Sequence, residues 1–118
     1  MVTGVGTDIV EVGRIRNALA RHKRFAERIF SPAEQEYCLS GGSPAQRFAG
    51  RFAAKEAVAK SLGKSMSWRD VEILADESGK PIVKLLNGAA ALADGRKIML
   101  SISHCRSYAV AYAIAMVD

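Results

Sequence analysis

Cysteine, nucleotide-binding signatures and long apolar runs are all scarce in this 118-residue chain, and each scarcity excludes something. Two cysteines, Cys38 and Cys105, are too few for a disulfide scaffold. With no charged-then-apolar leader at the amino terminus, the expected setting is a reducing cytoplasm. The most apolar stretch, Tyr108 to Val117, is half the roughly 20 residues that a spanning helix needs, so no membrane segment is expected. There is no Walker loop, no Gly-x-Gly-x-x-Gly ahead of a helix and no zinc-ligand pair, and Gly4-Val5-Gly6 is too short for a phosphate loop. Acids are also in deficit: seventeen Lys and Arg against twelve Asp and Glu give +5, a field that favours anionic partners without saying which.

What is present describes one folded domain over residues 1–118. Hydrophobic residues at 49% and charged residues at 25% are ordinary for a globule, and a chain of this length buries roughly two-thirds of its unfolded surface. Val2 to Val10 reads as a strand with Val5 and Ile9 on one face and Gly4, Gly6, Asp8 and Val10 on the other. From Gly13 the apolar period changes to three and four, through Ile15, Leu19, Phe25 and Ile29, which predicts one amphipathic helix. Ser31-Pro32-Ala33-Glu34 is a capping box that opens a helix ending at Gly41-Gly42. Ser43-Pro44-Ala45-Gln46 repeats the device for a longer helix, with Gly63 as its left-handed stop.

Beyond it the period drops to two. Val71 and Ile73 pair with Ile82 to Leu86 around the turn Asp76-Glu77-Ser78-Gly79, an alanine-rich helix follows over Gly88 to Asp94, and Lys97 to Ser103 pairs with Tyr108 to Val117. In that last strand Ala109, Ala111, Ala113 and Ala115 share a face expected to lie close beneath a helix. The order β-α-α-α-β-β-α-β-β describes an α+β domain, an antiparallel sheet packed against helices.

Some residues do not fit packing. Phe48, Phe52 and Glu56 recur at steps of four, which lines a carboxylate up with two core aromatics. Either Glu56 pairs with Lys60 one turn on, or it points into a cleft. Asp8 is an acid within a strand, so it either starts a turn or binds something. The two carboxylates with the lysine form a set able to hold one Mg²⁺ against substrate phosphates, if the fold brings them together. Arg14, Arg21 and Arg28 recur every seven residues with Arg24 between, a basic stripe that is either a solvated face or the seat of an acidic partner. His104, after Ser101 and Ser103, either binds phosphate, transfers protons or only closes its turn.

Three ordered blocks carry a resemblance: Gly6-Thr7-Asp8-Ile9-Val10-Glu11, then Arg51-Phe52-Ala53-Ala54-Lys55-Glu56-Ala57 with Lys60 and Gly63, then Ser101-Ile102-Ser103-His104 with Tyr108-Ala109. Across nearly its whole length the chain resembles the holo-acyl-carrier-protein synthases, small bacterial 4'-phosphopantetheinyl transferases. The resemblance implies transfer of the 4'-phosphopantetheine arm of coenzyme A to a serine of apo acyl carrier protein in fatty acid biosynthesis, with release of adenosine 3',5'-bisphosphate and use of Mg²⁺. It also implies roles: Asp8 and Glu56 as metal-binding acids, Lys60 beside the coenzyme phosphates, and Arg51, Ser61, Gly63 and His104 around the coenzyme. Arg14, Arg21 and Arg24 become the docking face for the acidic helix of the carrier, and a homotrimer is implied, with Tyr112, Ile114 and Met116 either its contact or part of the core. Where the family often carries a glycine-rich stretch with an arginine after the central helix, this chain has only Gly63-Lys64-Ser65-Met66-Ser67, so Lys64 is expected to stand in.

Two other classes fit less well. A nucleic-acid-binding domain would interleave exposed aromatics with its basic residues, and Phe25 and Phe30 lie instead on the apolar face. A carrier-binding module without chemistry would have no use for Asp8, Glu56 and Lys60 together.

Overall fold

A computed structural model describes residues 1–118. The elements are β1 (Val2–Glu11), α1 (Val12–Arg21), α2 (Phe25–Ile29), α3 (Pro32–Leu39), α4 (Pro44–Leu62), a 3-10 turn (Trp68–Asp70), β2 (Val71–Ala75), β3 (Pro81–Leu85), α5 (Asn87–Ala93), β4 (Lys97–His104) and β5 (Tyr108–Met116). The α+β expectation holds, but the strands form two antiparallel sheets rather than one: β1-β5-β4, and the separate hairpin β2-β3.

The three-stranded sheet lays its small-residue face on α4. Ala109, Ala111, Ala113 and Ala115 are all buried there. On β1 the approach is closer still, because a Cβ on Gly4 would stand 2.0 Å from the Ser61 carbonyl oxygen and one on Gly6 would stand 2.0 Å from that of Ala57. Only glycine lets the two backbones come this near. The same face places Asp8, two residues further, against α4. The opposite face of the sheet is bare: Val5, Ile9, Met99, Tyr108, Val110 and Tyr112 are exposed.

Two expectations about helices are corrected. The single amphipathic helix from Gly13 to Ile29 is two helices, because His22 takes an extended conformation (φ −121°, ψ 103°) and the chain turns before Phe25. The turn lets Ile29 and Phe30 fold back onto Val12, Ile15 and Phe48 in a second core cluster. A straight helix could not bring both ends to one core. The basic stripe is broken with it: Arg14 and Arg21 sit on α1, Arg24 precedes α2 and Arg28 lies within it. The second correction is the box at Ser43, whose side chain makes no cap. Gln46 instead donates to the Cys105 carbonyl at 3.1 Å, tying the β4-β5 tip to the first turn of α4.

The box at Ser31 forms as expected, with the Ser31 hydroxyl accepting from the Glu34 amide and the Glu34 carboxylate accepting from the Ser31 amide. Gly63 ends α4 at φ +79°. The β2-β3 turn is closed by Asp76 Oδ1, which accepts from the Ser78 and Lys80 amides.

Candidate active site

Helix α4 carries the site because it lies against β1. From it Lys60 reaches the strand, donating to the Thr7 carbonyl at 3.0 Å and standing 3.6 Å from Asp8 Oδ1. Lys60 therefore pairs with Asp8 and not with Glu56, one turn back on its own helix. Glu56 is half-buried and holds its proton above the ordinary glutamate range; burial is the larger cause, the nearby Asp8 charge adds to it, and Lys60 opposes both. Two neighbouring carboxylates with one cation beside them make this a candidate site for further positive charge.

Two cavities meet at Glu56. One of about 300 Å³ is lined by Asp8, Arg14, Phe25, Phe52 and Glu56 among others. The other, of about 630 Å³, runs from Glu56 and Lys60 past Gly63 and Lys64 to Trp68. The five-residue stretch after α4 thus forms a wall of the wider cavity and brings Lys64 to it. Phe25, Phe52 and Trp68 stack in series, with centroid separations of 6.4 and 4.9 Å, Phe25 and Phe52 lining the smaller cavity and Trp68 the wider one.

The other expected residues are placed differently. Arg21 and Arg24 are exposed, and Arg14 is exposed at the mouth of the smaller cavity. Ser61 is buried with its hydroxyl donating to the Val58 carbonyl at 2.7 Å, so its side chain does not reach the cavity. Arg51 is buried, stacks on the Tyr37 ring at 4.1 Å and leaves Nε and Nη2 without a partner. His104 is exposed at the end of β4, beside the tip that Gln46 holds. Gln46 comes fourteen residues before Lys60, about 21 Å of helix, so one chain does not bring His104 together with Lys60.

The sequence reasoning missed Lys55. Its ammonium, 1% exposed, lies 2.8 Å from Glu34 Oε1 and donates to the carbonyls of Trp68 at 2.9 Å and Val71 at 2.6 Å. Burial lowers its proton affinity while Glu34 raises it. The Ser31 box located Glu34, but its carboxylate also accepts from the Ile73 amide at 2.8 Å, a contact no local pattern announces.

The model of the 4'-phosphopantetheinyl transferase superfamily matches residues 4–113. The chain belongs to that superfamily. Within it the chain is 47% identical over 120 residues to a holo-[acyl-carrier-protein] synthase of Clostridium acetobutylicum, covering 97% of both chains. It is 49% identical over 117 residues to one of Chlamydia pneumoniae, covering 95% of each. The fold matches a crystal structure of the Bacillus anthracis holo-(acyl-carrier-protein) synthase in complex with CoA (3',5'-ADP), with a TM-score of 0.85 and 33% identity, covering 100% of this chain and 99% of that one. A Neisseria meningitidis synthase matches with a TM-score of 0.86 at 34% identity, covering 99% and 100%. The chain is an enzyme of the holo-acyl-carrier-protein synthase family.

Proposed function

We propose that this transferase moves 4'-phosphopantetheine from coenzyme A to a serine hydroxyl of apo acyl carrier protein, releasing adenosine 3',5'-bisphosphate, in the cytoplasm and in support of fatty acid biosynthesis. The observation that carries the reading is the convergence of Asp8, Glu56 and Lys60 at the junction of two cavities. One is wide enough for a coenzyme, and the other opens towards the arginines of α1.

The donor set fits Mg²⁺. Both acids offer hard oxygen ligands, and no group of three or more His, Cys, Asp or Glu side chains converges in the chain. A metal held by Asp8 and Glu56 alone would keep its remaining positions for water and phosphate, which is the habit of this ion. When bound, it would neutralise charge on the pyrophosphate. The serine oxygen attacks the β-phosphorus, the bond from that phosphorus to the bridging oxygen breaks, and the bisphosphate leaves with the electron pair. Glu56, or a water it holds, accepts the serine proton. Lys60 and Lys64 offset charge developing on the leaving oxygen and its neighbours.

Gly63 shapes the wide cavity by ending α4 with backbone alone, and Ser61 supports that end through its buried packing against Gly4. Arg51, whose buried Nε and Nη2 lack a partner, and the exposed imidazole of His104 are the residues the family likeness assigns to the adenosine 3'-phosphate. Because they lie away from Lys60, the reading requires that a neighbouring copy complete the site, and the bare sheet face with Tyr108, Val110 and Tyr112 supports a homotrimer. The exposed Arg14, Arg21 and Arg24 supply a docking face for an acidic carrier helix.

The test is mass spectrometry of apo acyl carrier protein incubated with the enzyme, coenzyme A and Mg²⁺, with and without EDTA. A gain of about 340 Da only where metal is available is expected. No gain on several carriers, with the enzyme folded, sinks the reading.

A further inference from the structure

Lys55 and Glu56 are neighbours on α4, yet Lys55 faces the core. It borders the wide cavity, but its ammonium is only 1% exposed and its three donor directions are filled by Glu34, the Trp68 carbonyl and the Val71 carbonyl. Those two carbonyls bracket the 3-10 turn that terminates the 64–67 stretch, the wall of the wide cavity facing Glu56 and Lys60. Glu34 is fixed in turn by the Ser31 and Ile73 amides, so the clamp is anchored in α3 and β2 at once. We infer that Lys55, held by Glu34, is a positioning residue that sets the width of the coenzyme cavity by fixing the Trp68 wall against α4.

The physical reason lies in the shortness of that wall. Within the stretch from Gly63 to Ser67 Met66 packs on the core, while Lys64, Ser65 and Ser67 are exposed. The rest of its order comes from its ends: the Gly63 and Lys64 amides bonded back to Ala59 and Lys60, and the Trp68 carbonyl bonded to Lys55. A wall already ordered does not have to be ordered by the ligand, so the clamp favours binding more than chemistry. The inference rests on placing coenzyme A in this cavity.

Trp68 is the only tryptophan, which makes the wall directly observable. The experiment compares the wild type with Lys55→Met, and with Glu34→Gln/Lys55→Met, which leaves no buried charge unpaired and so tolerates the loss where the single variant does not fold. Three readouts are taken: Trp68 fluorescence anisotropy without coenzyme, the change in Trp68 emission on coenzyme A titration, and steady-state kinetics. In the folded variants Trp68 anisotropy falls and the KM for coenzyme A rises about tenfold, while kcat changes by less than about threefold and the KM for carrier protein stays put. A core pair of purely structural value would lower the unfolding midpoint and leave the Trp68 anisotropy and the coenzyme KM alone; that result overturns the inference. A fall in kcat at unchanged coenzyme KM also overturns it. If wild-type Trp68 does not respond to coenzyme A although transfer proceeds, the placement of the coenzyme fails, and this inference with it.

Discussion

Helix α4 carries two ion pairs, at Lys55 and Lys60, that differ in almost every respect. Lys55 and Glu34 lie at 2.8 Å, essentially sealed from water, with the lysine's donors and both carboxylate oxygens occupied. Lys60 and Asp8 stand at 3.6 Å, the lysine side chain 56% exposed, beside a second carboxylate that has no cation of its own. The first arrangement is complete, because any unfilled valence in the core would be costly. The second is incomplete, and its deficit of positive charge is what leaves it able to bind. Packing saturates its polar groups, and a site leaves some unsatisfied.

The contrast breaks most severely with Glu56→Ala. Turnover of carrier protein falls by about 10³-fold or more while the unfolding free energy stays within about 0.5 kcal/mol, since the lost carboxylate is one that burial and Asp8 already disfavour; activity assay and urea denaturation together check it. Lys55→Met inverts the pattern. It strands the Glu34 carboxylate in the core and lowers stability by about 3–5 kcal/mol, read as an earlier urea midpoint. Arg21→Ala and Arg24→Ala act on the proposed docking face. Each raises the KM for carrier protein by about 2–5-fold at low salt, and the effect shrinks above about 0.3 M NaCl, measured by the same assay across a salt series.

The smallest effect sharpens the charge reading of the site. In metal-free protein, Glu56 followed by carbon-detected NMR titrates above 4.5. Asp8→Asn lowers that midpoint, because a like charge is removed, but leaves it raised, because burial is the larger cause. Mg²⁺ lowers it in the wild type. A group must be ionised to accept a proton, so activity rises with pH through the midpoint Glu56 has with Mg²⁺ bound, which lies below that of the metal-free protein. A metal-free wild-type midpoint no higher than that of an ordinary glutamate would remove this charge reading of the site.

Much of this was legible locally. The Ser31 box, the Gly63 stop, the Asp76 turn and the alternating alanines of β5 each follow from neighbours within four residues, which is why they held. The Ser43 box did not hold, since the same four-residue pattern lost its glutamine to a carbonyl far along the chain. The long basic helix failed for a similar reason: its apolar period ran on through His22, but closing the second core cluster required a bend there.

The sequence by itself determined the element types, the small-residue faces of β1 and β5 and the presence of two out-of-place acids, because these are properties of period and residue size. The tertiary structure alone decided which charges meet. Asp8 and Lys60 are 52 residues apart and Glu34 and Lys55 are 21 apart, and each pair forms only because Gly4 and Gly6 seat β1 on α4 and because α3 docks beside it. Electrostatics acts through space, and space is assigned by the packing.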